Sequence, residues 1–223
     1  MSVEDLLREH PALWRAQESG ERSSSPPGLP TGFAALDRSL PGGGWPAQGL
    51  VEILTDRHGI GEISLLMPAL ATLCRGQDAR GGGWLAWVAP PYQPYAPALA
   101  AAGIDVQRVL VVRGPSPAEW AMEQALRSEA CSAVLGWSDP RDATALRRLQ
   151  LAAEQARCLA VLFRPTRAAR QPSPAVLRLE LEGAAVGLQV RIVKSRGGRP
   201  VTVALGQLGA PWQSPSLRAQ AAH

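Results

Sequence analysis

One stretch of the chain, residues 41–70, predicts a glycine-rich turn, a buried strand, a short polar loop and a helix in direct succession. Residues 50–54 form an apolar run of strand length, and residues 62–73 carry apolar side chains at helical spacing. A strand joined to a helix by a glycine-containing loop is the layout of a phosphate-binding unit. The stretch therefore favours an α/β fold in which a helix packs back on its own sheet.

The loop of this unit lacks the residues that would hold a phosphate. In a nucleotide-binding loop a lysine follows the last glycine and a Ser or Thr hydroxyl then binds magnesium. Here the loop contains His58, Gly59 and Gly61, and Glu62 follows where the cation should be. The only lysine of the chain is Lys194. We therefore expect a degenerate nucleotide loop, whose glycines serve a tight strand-to-helix turn.

Downstream of this unit, short apolar runs alternate with helical segments. The runs are almost continuously apolar, which is typical of parallel strands covered on both faces, and the alternation predicts an α/β sheet. After residue 163 turn glycines separate three strand-like segments, which predicts an antiparallel β-meander at the end of the sheet. The predicted strands are residues 50–54, 84–89, 109–112, 133–135, 159–163, 176–181, 188–193 and 201–205, and the predicted helices are 62–73, 97–102, one that begins at Ser116 and Pro117, and 141–157, which Asp139 is expected to cap.

The two ends of the chain depart from this pattern. Residues 1–30 predict a short helical arm followed by a linker rich in Gly, Ser and Pro, and residues 206–223 predict a flexible tail. Residues 31–205 then form the folded domain. The arm carries Leu6, Leu7, Leu13 and Trp14 on one face, and it packs either on a partner or back on its own domain.

Composition narrows the class of protein. A chain of 223 residues suits one domain with a sizeable core, and a net charge of +4 permits contact with nucleic acid without requiring it. The three cysteines and three histidines lack metal-ligand spacing, so we expect no metal and no cofactor. No signal-peptide pattern and no apolar run of membrane-spanning length is present, so we expect a cytoplasmic protein.

Several motifs, taken in order, resemble the RecA recombinase core. The segment TGFAALDRSLPGGGWPAQGLVEIL resembles the entry to that core, and LRLELEGAAVGLQVRIVKSRGG resembles its closing strands. Within this group, PGGGWP, the HGIGE loop, WVAPPYQPYAPAL and LFRP resemble the ImuA family of proteins associated with mutagenic translesion synthesis, which are also similar to SulA-type cell-division inhibitors. The resemblance covers residues 31–205 and implies a RecA-like core with helices on both faces of the sheet.

The resemblance also implies three ATPase elements, and each has lost its chemistry. The lysine of the phosphate loop corresponds to Glu62, the catalytic glutamate falls near Pro91, and the Walker B carboxylate falls at Gly136 or Trp137. A carboxylate placed against a triphosphate is repulsive in a partly desolvated site. We therefore expect a pseudo-ATPase that is not an enzyme.

What the resemblance implies instead is an adaptor in the SOS response. It would join an ImuB-type polymerase homologue to an error-prone DNA polymerase III alpha-type subunit, and it would also contact RecA. Three other functions stay open: a SulA-like inhibitor of a filament-forming protein of cell division or of RecA, a divergent ATP-binding protein, and a plain DNA-binding module.

Candidate contact residues follow from the apolar face of the arm and, in the folded domain, from the same resemblance. The partner-binding candidates are Leu6, Leu7, Leu13 and Trp14 of the arm and the basic residues Lys194 and Arg196. Weak DNA contacts are expected at Arg164, Arg167 and Arg170, which occupy the position of a RecA DNA-binding loop. Because tryptophan is favoured at interface hot spots, Trp14, Trp45 and Trp212 are further partner candidates, whereas Trp84, Trp87 and Trp137 are expected in the core.

Overall fold

The computed structural model describes residues 27–76, 82–140, 142–206 and 208. Its strands are β1 Gly49–Leu54, β2 Trp84–Val88, β3 Val109–Val112, β4 Cys131–Trp137, β5 Leu159–Arg164, β6 Leu177–Gly183, β7 Leu188–Ser195 and β8 Val201–Leu205. Its helices are α1 Ala34–Asp37, α2 Met67–Arg75, α3 Ala96–Ala101, α4 Ala118–Arg127 and α5 Ala143–Gln155, with 3-10 segments at Pro41–Gly43, Val106–Arg108 and Thr166–Arg170.

All eight of these strands belong to one sheet, in the order β3-β2-β4-β5-β1-β6-β7-β8. The five pairings from β3 across to β6 are parallel, whereas β6 pairs with β7 and β7 with β8 in antiparallel fashion. The predicted fold class, a mostly parallel α/β sheet with a C-terminal antiparallel meander, is confirmed in this form.

Helices cover both faces of the sheet, because alternate residues of each strand point to opposite sides. On one side, the α2 face, Val51 and Ile53 of β1 share a core with α1, α2 and α3. On the other side, the α5 face, Leu50 of the same strand packs with residues of α4 and α5. The apolar stripe of the last helix and the residue that follows it, Leu146, Leu149, Ala153 and Ala156, lie in this second core.

Two helix starts differ from the prediction. Helix α2 begins at Met67 rather than at residue 62, since residues 61–66 form turns that lead into it. The expectation that Asp139 caps α5 is wrong: the side chain of Asp142 accepts the hydrogen bond from the Thr144 amide, at 2.8 Å. Asp139 is occupied elsewhere, as described below.

The segment before β1 is folded onto the domain. Leu29 and Trp45 exchange two backbone hydrogen bonds, of 2.8 and 2.7 Å, so packing already begins ahead of residue 31. Trp45 is completely buried, and its expected role as a partner contact is therefore wrong. Trp84, expected in the core, is instead 46% exposed at the start of β2. Trp14, Trp212 and the leucines of the arm lie outside the described residues.

Two further properties concern the described residues alone. None of their helices combines the length and the apolar character needed to span a membrane. They also contain no group of three or more His, Cys, Asp or Glu arranged to hold a metal ion. The three cysteines are buried, and burial raises the pKa of the Cys131 thiol.

Candidate functional site

The loop between β1 and α2 lies at the carboxyl edge of the parallel strands, the edge where open α/β sheets bind ligands. Gly59 and Gly61 have φ values of 81° and 111°, a backbone region that other residues adopt only with strain. The glycines are thus required by the shape of the loop. This shape turns the amides of both residues towards one point.

The Glu62 carboxylate occupies that point. Its oxygens accept hydrogen bonds from the Gly59 amide at 2.9 and 3.1 Å and from the Gly61 amide at 3.2 Å. The Glu62 residue is only 4% exposed. Converging backbone N–H groups of this kind form the anion-binding concavity of phosphate loops. Here the chain's own carboxylate fills it.

An apolar residue from the end of the described chain covers the same loop. Leu208 lines a cavity of about 370 Å³ together with loop residues 59–64 and Gly187. A side-chain carbon at Gly61 would collide with Leu208, so the two lie in close contact. Lys194, the single lysine, lies away from the loop and donates to the Ser173 carbonyl at 2.8 Å. No lysine therefore contributes to the loop.

The other two positions at which the resemblance predicted lost ATPase residues carry no carboxylate. Gly136 is packed so tightly beneath Met122 that an added side-chain carbon would collide with its sulfur. Trp137 stacks on Phe163, with ring centroids 4.5 Å apart. Pro91 is exposed in the loop that follows β2. The structure thus places these three residues in packing or solvent-facing roles.

His58, which precedes Gly59 in the loop, contacts the loop that follows β2. Its ring meets that of Tyr92 edge to face, with centroids 6.2 Å apart. Tyr92 and Tyr95 are 71% and 70% exposed. This part of the carboxyl edge therefore presents aromatic rings to solvent, whereas Gly59 and Gly61 are closed by Glu62.

A buried ion network, which sequence reasoning missed, lies on the α5 face beside this edge. Glu52 in the middle of β1 is fully buried. Its carboxylate accepts from Arg164 Nη1 at 3.2 Å, from Arg178 Nε at 2.7 Å and from the Ser173 hydroxyl at 2.7 Å. The only sequence signal was a single charged residue in each of the otherwise apolar strands β1 and β5, because β6 carries Glu180 and Glu182 in addition to Arg178.

Both arginines of this network use their remaining donors. Arg164 donates to Asp139 at 3.0 Å and to Gln171 Oε1 at 2.7 Å. Arg178 donates to the carbonyls of Ala168 and Gln171, at 2.7 and 3.1 Å. The network therefore fastens residues 165–174 across the α5 face of β1 and β6.

The three arginines predicted to contact DNA differ in how far they are buried. Arg164 has a side chain that is 0% exposed, so the expectation that it touches DNA is wrong. Arg167 is exposed and pairs with Asp139, and Arg170 is exposed. Only the last two can reach a ligand from solvent.

The predicted basic partner contacts lie at the opposite end of the meander from the loop. Burial lowers the pKa of Lys194, and the nearby Arg178 lowers it further, with Glu52 acting in the other direction. Arg196 is exposed and has no ion pair among the described residues. The structure does not bring these two residues together with Glu62.

Comparison with known proteins agrees with the motifs. A family model described as cell division inhibitor SulA matches residues 50–160. ImuA proteins from two strains of Caulobacter vibrioides are 34% identical over 144 residues, which is 62% of this chain and 57% of each relative. A cell division inhibitor SulA from Edwardsiella piscicida is 37% identical over 105 residues, which is 46% of this chain and 60% of that protein.

Among solved structures, the crystal structure of SulA from Pseudomonas aeruginosa is 27% identical, covers 52% of this chain and 97% of its own, and has a TM-score of 0.42. The chain spans little more than half the length of the ImuA relatives it matches. The predicted resemblance to the ImuA family is confirmed: the chain is similar to ImuA proteins over 62% of its length, and residues 50–160 match the SulA family model.

Proposed function

We propose that this chain is a non-catalytic adaptor in DNA-damage-induced (SOS) mutagenic translesion synthesis, built on a RecA-like core with a degenerate nucleotide site. It joins an ImuB-type polymerase homologue to an error-prone DNA polymerase III alpha-type subunit, and it also contacts RecA. The similarity to ImuA supports the cellular process. The absence of catalysis is inferred from the Glu62 carboxylate, which accepts hydrogen bonds from the amides of its own loop.

A triphosphate has neither room nor attraction at this loop. It would have to displace Glu62 from the Gly59 and Gly61 amides, which are the donors it needs. The displaced carboxylate would remain close to the phosphates, and two like charges in a partly desolvated site repel by several kcal/mol. No lysine offsets that repulsion, because Lys194 is bound to the Ser173 carbonyl.

Titration calorimetry of the full chain with magnesium ATP tests whether the Glu62 loop binds nucleotide. We expect no binding heat and no phosphate release from the purified protein. Tight magnesium-dependent binding would contradict the proposal, and it would favour the divergent ATP-binding protein instead.

Affinity purification from DNA-damaged cells tests the adaptor role. We expect an ImuB-type polymerase homologue and a polymerase III alpha-type subunit to be recovered with the full chain. A parallel experiment with residues 31–223 tests whether the arm, with Leu6, Leu7, Leu13 and Trp14, contributes to binding. Recovery of neither protein by the full chain would overturn the adaptor role.

A second candidate function is a SulA-like inhibitor of a filament-forming protein. The SulA family match over residues 50–160 and the 37% identity to a cell division inhibitor favour it. Light scattering distinguishes the inhibitor from the adaptor. It is measured on polymerising division tubulin and on RecA assembling on single-stranded DNA. Loss of either polymer at stoichiometric amounts of this chain, without any polymerase present, supports the inhibitor.

We also propose a weak DNA contact at Arg167 and Arg170, the two exposed arginines of the segment that follows β5. Their joint change to Ala should weaken binding to single-stranded DNA and reduce its salt dependence, because each phosphate contact releases counterions. Arg147, which is exposed on α5, provides the matched control. Equal affinity of the double variant and the Arg147→Ala control contradicts the contact.

A further inference from the structure

A groove at the amino edge of the sheet stands apart from the Glu62 loop. Its deepest part is a cavity of about 270 Å³ between residues 40–48, which precede β1, and the β7–β8 turn that starts at Ser195 and Arg196. The Glu62 loop follows the other end of β1, which is six residues long and therefore spans about 20 Å. The two recesses are distinct surfaces.

The walls of the cavity are apolar and held in place before anything binds. Leu40, Pro41, Pro46 and Val176 line it. The two hydrogen bonds between Leu29 and Trp45 fix the turn from which three of these residues project. A side-chain carbon at Gly44, which also lines the cavity, would collide with the Leu29 carbonyl. Such a preformed apolar recess binds an apolar group at low cost in ordering.

The polar groups of the cavity suit one carboxylate. Arg196 carries a guanidinium that has no anionic partner among the described residues, and guanidinium groups bind carboxylates in a bidentate way. The Ser195 hydroxyl also lacks a hydrogen-bond partner, but it is buried beneath the turn at Gly198 and is closed off from the cavity. Glu154 also lines the cavity, and its carboxylate accepts a hydrogen bond from Gln150 at 2.7 Å. Its negative charge repels a polyanion such as a phosphate more strongly than a single carboxylate.

The recess continues as a channel rather than ending as a closed pocket. Leu40, Pro41 and Arg196 also line an adjoining shallow depression of about 700 Å³, which includes Arg38, the turn glycines Gly197 and Gly198, and Asp37, whose carboxylate accepts from the Thr31 amide at 2.9 Å. A small molecule would fill only one of the two depressions. An extended peptide can place a side chain in the cavity while its neighbours cross the Leu40–Pro41 ridge towards the arginines.

We propose that this groove docks an extended segment of a partner protein in which an aliphatic side chain lies within a few residues of an Asp or Glu. The aliphatic side chain fills the cavity, and the carboxylate binds Arg196. This assignment rests on the proposed adaptor function, to which it adds the surface and the chemistry of one partner.

A phage-displayed library of random peptides, selected on the full chain, tests the groove. We expect the selected peptides to share an aliphatic residue close to an acidic one. In fluorescence anisotropy with a selected peptide, Arg196→Glu should weaken binding about tenfold or more, because it replaces an attraction by a repulsion. Ala47→Trp should weaken it as well, since Ala47 is exposed at the cavity and the indole would occupy it.

Arg147→Glu is the matched control, because Arg147 is exposed and does not line the groove. All three changes lie at exposed positions, and thermal melting confirms that each variant folds. The proposal is overturned if no peptide is selected, if the selected peptides lack acidic residues, or if Arg196→Glu binds as well as the control.

The two proposals fail separately. If selected peptides bind the groove but no polymerase-type protein is recovered from damaged cells, the docking site stands and the adaptor role falls. If Arg196→Glu recovers those proteins as well as the unchanged chain, the adaptor role stands and the groove is not its docking site.

Discussion

Two buried glutamates find hydrogen-bond partners for their carboxylates in opposite ways, one locally and one across the fold. Glu62 accepts hydrogen bonds from the amides of Gly59 and Gly61, residues within three positions of it. Glu52 accepts from Arg164, Ser173 and Arg178, which lie 112 to 126 residues away along the chain. The first carboxylate shapes one loop, whereas the second joins three strands and the segment that follows β5.

The difference teaches which contacts the fold depends on. Removing Glu62 frees backbone amides at a partly exposed loop, where water or an anion can replace the carboxylate. Removing Glu52 leaves two buried guanidinium groups without their shared counter-charge, and water cannot reach them. Loop chemistry and fold stability are therefore separable in this protein.

The largest expected effect is that of Glu52→Ala. The change should lower the free energy of unfolding by about 3–5 kcal/mol, because it leaves Arg178 buried without an ion pair and leaves Arg164 with Asp139 as its only carboxylate partner among the described residues. Urea denaturation measures the loss. Glu182→Ala, at an exposed position of β6, is the control and should cost no more than about 0.5 kcal/mol.

A triple variant sharpens the same test. Replacing Glu52, Arg164 and Arg178 together by Met removes the buried carboxylate along with both of its guanidinium partners and fills the space with apolar side chains, so much of the lost stability should return. If the triple variant is as unstable as Glu52→Ala, the instability comes from packing rather than from unpaired charge.

An intermediate effect is expected for Glu62→Ala. It should cost about 1–2 kcal/mol of stability, since the Gly59 and Gly61 amides lose their acceptor. Inorganic phosphate should then raise the melting temperature of the variant but not that of the unchanged chain. Melting in sodium chloride of equal ionic strength controls for screening. A phosphate effect of the same size in both proteins would mean that Glu62 does not fill the anion site.

The smallest effect concerns Asp56, which receives hydrogen bonds from the hydroxyl and the amide of Thr166. These bonds lower the pKa of Asp56 below its ordinary value of 3.8, and the bond from the Thr166 hydroxyl has the larger effect. A carboxylate whose pKa is lower in the folded than in the unfolded state stabilises the fold at pH values above its unfolded-state pKa. This stabilisation is lost as the pH falls through the folded-state pKa.

Thr166→Val removes the side-chain bond and keeps the shape. Its loss of stability should be small, because Asp56 is exposed, and it should shrink as the pH is lowered from about 7 to about 3. The denaturation midpoints of both proteins across this range measure it. A deficit that stays constant with pH rules out the carboxylate as its cause.

The strands of the fold were predictable because burial on both faces leaves a direct mark in the sequence. Residues 109–112 and 201–205 were predicted with the bounds that the structure shows. Helix α2 was predicted five residues too early, at residue 62 instead of Met67. Apolar spacing does not reveal that Glu62 turns back onto its own loop, since that depends on the left-handed backbone of Gly59 and Gly61.

The candidate site was predictable only where neighbours in sequence are neighbours in space. The degenerate loop lies within one short segment, so its missing lysine was evident. The partners of Glu52 lie more than 110 residues away, and no local pattern connects them. Asp139 illustrates the same limit, because a local signal suggested a helix cap while its actual partners, Arg164 and Arg167, come from β5 and the segment after it.

The solitary lysine offers a practical handle. Burial and the neighbouring Arg178 depress the pKa of Lys194, so a larger share of its amine is uncharged and nucleophilic near neutral pH than for an ordinary surface lysine. Once the α-amine of the chain is blocked, an amine-reactive dye thus has one lysine to modify, two positions from Arg196 in the chain. Its emission can report occupancy of the neighbouring groove without any engineered cysteine.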